Sequence, residues 1–465
     1  MEVAEEMKVD SETPIDVSDF DLTTLKSYTG PTLLTRLSFI ASNSKVPLSL
    51  RAQSLSLLRT SLKNTLNVEM YKKTFTEYEN KVMELTGENP DTEWITSTTT
   101  TATSNLTHLT STLEHSKTTL QKPMILQSYR SLAGFYLNSG GYVDALKCYL
   151  RSRDVLGGVK EISQMCLDVV GVSCELQNFQ HVTSYCTKAE HTSEFKADAL
   201  TSGKINVCKG LALLHNKNYH SAGQVFTSLP PPFSYPTQII SSDIALYASI
   251  LSLATLTRTE ILNLLSSSTF KTYLEGSPKI TTLLESYTQC DYSTCLKVLD
   301  TLEPLMHLDI HLNPHVSSLR KKILSSCITN FFKPYKSVTL KRIGEICNLD
   351  EGGVGKVLKE LIEEGGVVGR IDLMEGVLEE IEIFPEIEAA ENVSKLASEF
   401  LETSEATLLR ISMVEEGLVN SQGGGKVRGR RKGRRGMGGL DDEEEEWGEG
   451  GLDDMDLDVF VEQKI

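Results

Sequence analysis

Residues 125–152 read ILQSYRSLAGFYLNSGGYVDALKCYLRS, and they carry the strongest signal of the fold. Its large residues recur at helical spacing on both sides of a short polar break: Tyr129, Leu132, Tyr136 and Tyr149. Ala133 and Ala145 are small enough to let two helices approach closely, while the larger residues fill the gap between them. The Asn-Ser-Gly-Gly sequence at 138–141 is typical of a turn. The stretch therefore predicts a pair of antiparallel helices.

The spacing within this pair matches the tetratricopeptide repeat, a unit of two packed helices. The residues at positions 4, 7, 8, 11, 20, 24 and 27 of that repeat are Tyr129, Leu132, Ala133, Tyr136, Ala145, Tyr149 and Ser152. A degenerate unit follows about 37 residues later, and a third about 40 residues after that. Their matching residues are Val182, Cys186 and Ala189, then Gly210, Leu213, Ala222 and Phe226. Because such units cannot bury their faces alone, they predict a TPR-like helical solenoid over residues 121–229.

The chain before the repeats is predicted to be helical over residues 21–120. Residues 96–119 within it are rich in Thr and Ser, which have low helix propensity, so a weak helix is expected there. Its apolar stripe consists of Leu106, Leu109, Leu113 and Leu120. Residues 1–20 are acidic and predict a disordered leader.

Pro230-Pro231-Pro232 ends the repeats, and a further helical part is predicted over residues 237–336. The pattern then changes to short elements. These are helices at Leu340–Cys347 and Val354–Glu364 and strands at Val367–Leu373 and Val377–Phe384. Helix, turn, helix and a two-stranded wing predict a winged helix over residues 337–384. The helical part and the winged helix together form one predicted domain, residues 237–384.

Residues 386–419 predict one more amphipathic helix, whose apolar residues lie near one stripe. Little chain follows that would cover this stripe, so we expect it to pack against partner helices. Residues 420–465 predict a disordered tail, in which a Gly-rich basic block precedes the acidic run Asp441–Glu446. The basic block has two interpretations that remain open. It is either a nucleic-acid or nuclear-import element, or a solvated linker that folds back on the acidic run.

Composition excludes several classes of protein. The formal net charge of -17 opposes nucleic-acid binding over most of the surface. No run of 18 or more apolar residues exists, and the acidic start lacks the apolar core of a secretory signal. Nine cysteines without framework spacing are typical of a reducing compartment. A soluble intracellular protein is expected, with no membrane partner.

Patterns that would support catalysis or metal binding are weak throughout. The candidates for metal binding are His307, His311 and His315, with Cys290 and Cys295. A proline interrupts the helix that would align the histidines, and the cysteines lack the second pair that a structural zinc site needs. Gly352–Gly355 lacks the Lys-Ser/Thr of a phosphate loop and is interpreted as the start of a helix. We therefore predict no catalytic, cofactor-binding or metal-binding residues.

The winged helix is predicted to dock proteins rather than DNA. Between Asp350 and Phe384 the sequence has ten acidic and three basic residues. A helix that contacts phosphates needs the opposite balance.

Helical repeats followed by a winged helix resemble the PCI family, named for the proteasome lid, the signalosome and initiation factor three. The resemblance covers about residues 20–419 and depends on several stretches together. They are Ser27–Gly30 with Arg36–Ala41, Phe135–Leu137 with Asp144–Tyr149, Met165–Val170, Ser184-Tyr185 with Lys188–Glu190, Ser266–Lys271 and Cys295–Asp300. The segments Tyr28–Ala41 and Ser266–Lys271 resemble the signalosome branch more than the proteasome-lid branch.

The resemblance implies a non-catalytic scaffold. Family members assemble through wing strands that pair edge to edge and through C-terminal helices that gather in a bundle. The interface residues implied here are Val368, Arg370, Ile371, Val377, Ile381, Val393, Leu396, Phe400, Ile411 and Val414. The implied partners are other PCI-domain and metalloprotease-fold subunits of one complex, and cullin-RING ubiquitin ligases.

The resemblance also implies a function for that complex, which removes Nedd8 from the ligases with a zinc-dependent protease in a different subunit. Nucleus and cytoplasm are the expected locations. Two alternatives remain open. One is the related PCI subunit of the 26S proteasome regulatory lid, and the other is a winged-helix nucleic-acid-binding regulator.

Overall fold

The computed structural model describes residues 24–76, 78, 89–192, 198–230, 233–348, 350–381 and 385–416. The described residues up to 381 belong to one compact unit, and those from 385 to 416 belong to a second. The predicted leader and the predicted basic and acidic tail lie outside the described residues. Helices dominate the rest, and the predicted fold class is confirmed: helical repeats are followed by a winged helix.

Helices α1 to α10 lead through the repeats. They are α1 (Pro31–Ser42), α2 (Leu48–Leu62), α3 (Val68–Lys73), α4 (Thr92–Thr119), α5 (Lys122–Ser139), α6 (Tyr142–Ser152), α7 (Val159–Glu175), α8 (Phe179–Glu190), α9 (Ala199–His215) and α10 (Tyr219–Thr227). Helices α5 and α6, α7 and α8, and α9 and α10 pack as consecutive pairs at the predicted repeats. The small positions Ala133, Ala145 and Ala222 are fully buried, as close helix packing requires.

One turn geometry recurs between paired helices. A residue with positive φ directly precedes the residue that caps the next helix. This geometry is found at Gly140, Gln177, Lys217 and Cys290, each of which has a positive φ. Asn178 and Asn218, which follow two of them, accept hydrogen bonds from the backbone N–H groups of His181 and Ser221. Each side chain thereby satisfies a donor that the first helical turn leaves unpaired.

A second set of helices continues the same apolar core. It comprises α11 (Ser241–Thr255), α12 (Arg258–Ser266), α13 (Ser268–Leu274), α14 (Pro278–Thr288), α15 (Tyr292–Leu308) and α16 (Val316–Phe332). Phe226 of α10 meets Tyr247 of α11 edge to face, with ring centroids 5.6 Å apart. One cluster of buried apolar residues extends from Leu113 to Leu378. The repeats and the helices after them therefore form one packed body.

The winged helix closes this body. It consists of β1 (Ser337–Thr339), α17 (Leu340–Cys347), α18 (Glu351–Glu363), β2 (Gly369–Asp372) and β3 (Val377–Glu380). The strands are antiparallel and lie in the order β1-β3-β2. Leu378, which pairs with Val338 on one side and Ile371 on the other, shares the core with Val354 and Leu358 of α18.

The N-terminal helices pack over the junction between the repeats and the later helices. Arg36 of α1 is buried, and its Nη1 lies 3.1 Å from Asp309 Oδ2 and 3.5 Å from Asp243 Oδ2. Tyr247 donates a hydrogen bond to Asp309 at 2.7 Å, and Tyr28 donates one to Asp243. We call these five residues the Arg36 cluster. It joins three segments that are far apart in sequence.

The pKa values of the two carboxyl groups of the Arg36 cluster are shifted in opposite directions. Burial raises the pKa of Asp243 well above its usual range, and the nearby charge of Asp309 raises it further. Burial also acts on Asp309, but Arg36 and the hydrogen bonds from Tyr247 and His311 lower its pKa overall. Asp309 is therefore the stronger anionic partner of Arg36, and Asp243 is the carboxyl group that binds a proton more readily.

One expectation from the sequence needs correction. Leu120 does not belong to the apolar stripe of α4, because it follows the helix with a φ of 53° and is 81% exposed. The Thr-rich segment is helical as predicted, within a helix of 28 residues that begins at Thr92. Threonine hydroxyls bond to carbonyl groups of the preceding turn, as Thr99 does to Ile95 O at 2.9 Å, and so find partners inside the helix.

The second unit contains α19 (Pro385–Glu415), a helix of 31 residues. A straight helix of this length extends about 46 Å.

Candidate assembly interface

The sheet of the winged helix has an open edge at β2. Because β3 lies in the middle, β1 and β2 are the edge strands of the described sheet. β1 has only three residues and follows Pro334 and Lys336. Short strands, proline and lysine are features by which natural sheets discourage pairing at an edge. β2 contains no proline and adjoins the exposed Val368. β2 is thus the edge better suited to receive a strand from another molecule.

The backbone of β2 is oriented for such pairing. Ile381 donates its N–H to the Val368 carbonyl at 3.5 Å, and Arg370 stands opposite Glu379. Hydrogen-bonding residues alternate along an antiparallel strand, so the backbone groups of Gly369 and Ile371 point away from β3. They lie along the open edge.

Four of the predicted interface residues share the outer face of the sheet. Side chains alternate between faces of a strand, and the register places on one face Val368, Arg370, Val377 and Ile381. Arg370 donates from Nε at 3.1 Å and from Nη2 at 2.9 Å to Glu379 Oε2. Val368 and Ile381 are each nearly half exposed. This face therefore presents a small apolar pair beside a surface ion pair.

Ile371 lies on the opposite face from these four residues. It pairs with Leu378 and packs against the apolar core. Its side chain stabilises the fold, so at the edge it offers its backbone alone.

The tip of the wing carries two exposed apolar residues that were not among the predicted interface residues. Leu373 is 80% exposed and Met374 is 96% exposed. Asp372 Oδ1 accepts hydrogen bonds from the N–H groups of Met374 and Glu375, which holds the turn that presents them. Two large apolar residues within a turn are the sequence signal that would have identified this tip.

The exposed side of α18 carries both signs of charge. Glu360 and Glu363 are exposed there, as are Lys356 and Lys359, and Lys359 Nζ lies 3.8 Å from Glu363 Oε1. The basic side chains are thus matched by acidic ones on this helix, and such a surface lacks the excess of positive charge that phosphate contacts need.

The other five predicted interface residues lie on α19. All of them are more than half exposed: Val393, Leu396, Phe400, Ile411 and Val414. Further large apolar residues of the same helix are exposed as well: Leu401, Leu408, Leu409 and Met413. A helix with this much exposed apolar surface marks a protein-binding site.

The histidines do not form a shared site. α15 ends at Leu308, and a 3-10 turn at Asn313–His315 breaks the helical alignment. His307 Nδ1 lies 3.0 Å from Asn313 Oδ1, and burial lowers the pKa of His311 to about 4. Among the described residues, no group of three or more His, Cys, Asp or Glu side chains could hold a metal ion. No helix in the described ranges is long and apolar enough to cross a membrane.

Two family models match the chain. The model of the 26S proteasome subunit RPN7 matches residues 91–264, and the model of the PCI domain matches residues 280–379. The first range begins just before α4 and ends within α12. The second contains the winged helix up to β3.

Individual relatives distinguish the branches of the family. COP9 signalosome complex subunit 1 of Arabidopsis thaliana is 28% identical over 83% of this chain and 88% of the plant protein. Subunit 1b of Drosophila melanogaster is 33% identical over 54% of this chain, which spans about half (49%) of the fly protein. The 26S proteasome non-ATPase regulatory subunit 6 of Caenorhabditis elegans is 22% identical over 62% of its length. The chain, with its PCI domain, belongs to the family of COP9 signalosome complex subunit 1.

Proposed function

We propose that the chain is a scaffold subunit of a signalosome that removes Nedd8 from cullin-RING ubiquitin ligases. One observation carries the proposal. The C-terminal part of the described chain has a sheet with an open edge and a helix with exposed apolar side chains, and the chain is similar to COP9 signalosome complex subunit 1. Both elements need partners to bury these surfaces.

The chain itself acts without catalysis in this proposal. The zinc-dependent protease belongs to another subunit, and this chain holds its PCI-domain and metalloprotease-fold neighbours together and helps to contact the ligase. The complex works in the nucleus and the cytoplasm.

Deletion of residues 386–419 tests the assembly role. The tagged full-length chain, purified from its own cells, is expected to bring sibling subunits, cullins and Nedd8, identified by mass spectrometry. The deleted chain is expected to lose the siblings while keeping the thermal unfolding of residues 24–381. Retained assembly after the deletion would overturn the role of α19.

The proteasome regulatory lid is the second candidate. It is favoured by the match of residues 91–264 to the model of a proteasome subunit. The same purification separates the two machines. Proteasomal ATPases among the captured proteins would favour the lid, whereas cullins and Nedd8 would favour the signalosome.

A further inference from the structure

A segment of this chain lies across the first helices of the second and third repeats. The ring of Phe233 packs directly on Gly203 of α9, where a Cβ atom would come within 2.5 Å of it. The hydroxyl group of Tyr235 lies 4.0 Å from the position of a Cβ atom at Gly171 of α7. Gln238 Nε2 donates to the Gly171 carbonyl at 3.4 Å. We call this side of α7 and α9, and the equivalent side of α5, the inner face of the repeats.

Tyr235 occupies a notch that the absence of a side chain at Gly171 leaves on α7. Without a Cβ atom, glycine lets another group approach the helix backbone closely. The Tyr235 ring also lies beside α9, where Lys204 Nζ is 5.4 Å from the ring centre, within the range of a cation–π contact. The inner face of the second repeat therefore holds a tyrosine of the same chain, with a glycine beneath it and a cation beside it.

The first repeat has the same glycine, and there the notch is open. The spacing of 37 residues that aligns Ala145 with Val182 also aligns Gly134 with Gly171. Equivalent residues of stacked repeats lie on the same face. Outside the backbone of α5 itself, no atom of the described residues lies within 4 Å of a Cβ position at Gly134. Gln127, two turns earlier on the same side of α5, is exposed.

A buried cation lies one turn before the open notch. Arg130 precedes Gly134 by four residues, which places both on one side of α5. Its Nη2 atom is buried and has no hydrogen-bond partner among the described residues. Burial raises the pKa of Asp168 on α7, and the hydrogen bond from Gln164 and the nearby Arg130 offset this only in part. Because a buried donor without a partner is costly, a carboxylate that binds Arg130 would be stabilised there.

We propose that the notch at Gly134 binds a tyrosine side chain of a partner protein, and that a carboxylate close to this tyrosine pairs with Arg130. Tyr235 at the equivalent notch is the precedent for the aromatic group, and the unpartnered Nη2 of Arg130 is the reason for the acidic one. The partner segment thus carries a tyrosine within three residues of an aspartate or glutamate. The site uses residues of the repeats and none of β2 or α19, so it goes beyond the assembly role proposed above.

Photo-cross-linking tests which segment binds at the notch. The full-length chain carries the photoreactive amino acid benzoylphenylalanine in place of Gln127, and a control chain carries it in place of the exposed Arg151 of α6. Each purified chain is irradiated in an extract of its own cells, and the cross-linked peptides are identified by mass spectrometry. We expect the Gln127 position, and not the Arg151 position, to capture a segment with a tyrosine within three residues of an acidic residue.

Two results of the cross-linking would overturn the proposal. One is a captured segment that lacks the tyrosine or the acidic residue, or that belongs to this chain. The other is the absence of any segment that the Gln127 position captures and the Arg151 position does not.

Substitution of Gly134 tests the notch without weakening the fold. Gly134→Ala and the larger Gly134→Gln place side chains in open space, and both residues favour a helix more than glycine does. The isolated variants should therefore unfold at a higher temperature than the parent. Because the new side chains occupy the space that the tyrosine needs, cross-linking from Gln127 should fall at least threefold in Gly134→Ala and at least tenfold in Gly134→Gln. Unchanged cross-linking in these stable variants would show that the notch is not the binding site.

The acidic part of the partner segment has its own test. Arg130→Met keeps an apolar stem but removes the cation, so it should reduce cross-linking from Gln127 at least threefold, whereas Arg151→Met should not change it. Cross-linking of the parent should also decrease as salt is raised, because ions screen the pairing of Arg130 with a carboxylate. The Arg130→Met variant should lose this dependence. An equal salt dependence in both chains would overturn the role of Arg130.

Discussion

Arg36 is a buried cation whose partners come from distant parts of the chain. Its guanidinium lies 4.2 Å from the centre of the Tyr28 ring and pairs with Asp309, while Asp243 lies slightly further away. Two carboxyl groups share one cation, so the cluster is balanced when one of them holds a proton. The raised pKa of Asp243 and the lowered pKa of Asp309 divide these roles between them.

Asparagine substitutions should therefore have unequal effects at the two positions. Asp309→Asn removes the charged partner and leaves a buried cation, which typically costs about 3–5 kcal/mol. Asp243→Asn replaces a protonated carboxyl group by a neutral amide of similar shape and should change stability by less than about 1 kcal/mol. Thermal and urea unfolding of the full-length variants measure both. Equal losses would contradict the assignment of the proton to Asp243.

The same assignment predicts a dependence on pH. A raised pKa means that, between about pH 3.9 and the folded pKa, Asp243 holds a proton in the folded protein that the unfolded chain has released. This residue therefore contributes less stability as the pH rises towards its folded pKa, and asparagine has no such dependence. The unfolding temperature of Asp243→Asn relative to the parent should increase from pH 5 to pH 8. A constant difference over this range would contradict the prediction.

Gly210 tests the close helix packing that the repeat spacing predicts. A Cβ atom at this position would lie 2.7 Å from the ring of the fully buried Phe226. Gly210→Ala gains helix propensity of about 1 kcal/mol but strains a full core at about 1–3 kcal/mol, so a net loss is expected. Gly134→Ala is the control, because nothing lies within 4 Å of its Cβ and α5 should gain stability. Urea unfolding measures the stability of both variants. Higher stability for both would mean that the core around Phe226 rearranges to accept the added methyl group.

At the scale of elements, local sequence signals predicted most of the winged helix. The predicted bounds of Leu340–Cys347 coincide with α17, because apolar spacing defines an amphipathic helix locally. Gly365 adopts the positive φ expected of the residue that ends α18. β2 and β3 are shorter than predicted, since their pairing with each other rather than β propensity sets their ends. β2 could be identified as the open edge only from the order of the strands in the sheet, which residue patterns do not predict.

The two faces of β2 should respond differently to charge. Val368→Asp and Ile381→Asp alter the outer face, so they should leave unfolding unchanged and reduce co-purification of sibling subunits at least threefold. Ile371→Asp buries a carboxylate against the core and should lower stability by about 2–4 kcal/mol. Thermal unfolding and quantitative co-purification of each full-length variant separate the effects. Normal unfolding of Ile371→Asp would place its side chain outside the core.

At the scale of the whole molecule, the sequence predicted separate segments and the structure joins them. Nothing in the spacing of residues 21–120 indicates that Arg36 meets Asp309 or that Thr32 donates to Glu175 at 2.6 Å. Such contacts depend on the path of the whole solenoid, which residue periodicity does not encode. Similarity to known families identified the chain as a whole, but it did not reveal that the N-terminal helices contact the later helices.

Because these contacts and a continuous core join the segments, we predict that residues 24–381 unfold in one cooperative transition. The apolar core is continuous from the repeats into the winged helix, and α10 packs directly on α11 across the proline-rich segment. Separation there would expose Phe226, Tyr247 and Leu251, which are almost completely buried. Calorimetry of the full-length chain should therefore show one main transition for this unit. After cleavage engineered at Pro231, the two parts should stay associated in gel filtration. They should also unfold in a single transition in calorimetry. Two separate transitions in the uncut chain would mean that the repeats and the PCI domain are independent domains joined by a flexible linker.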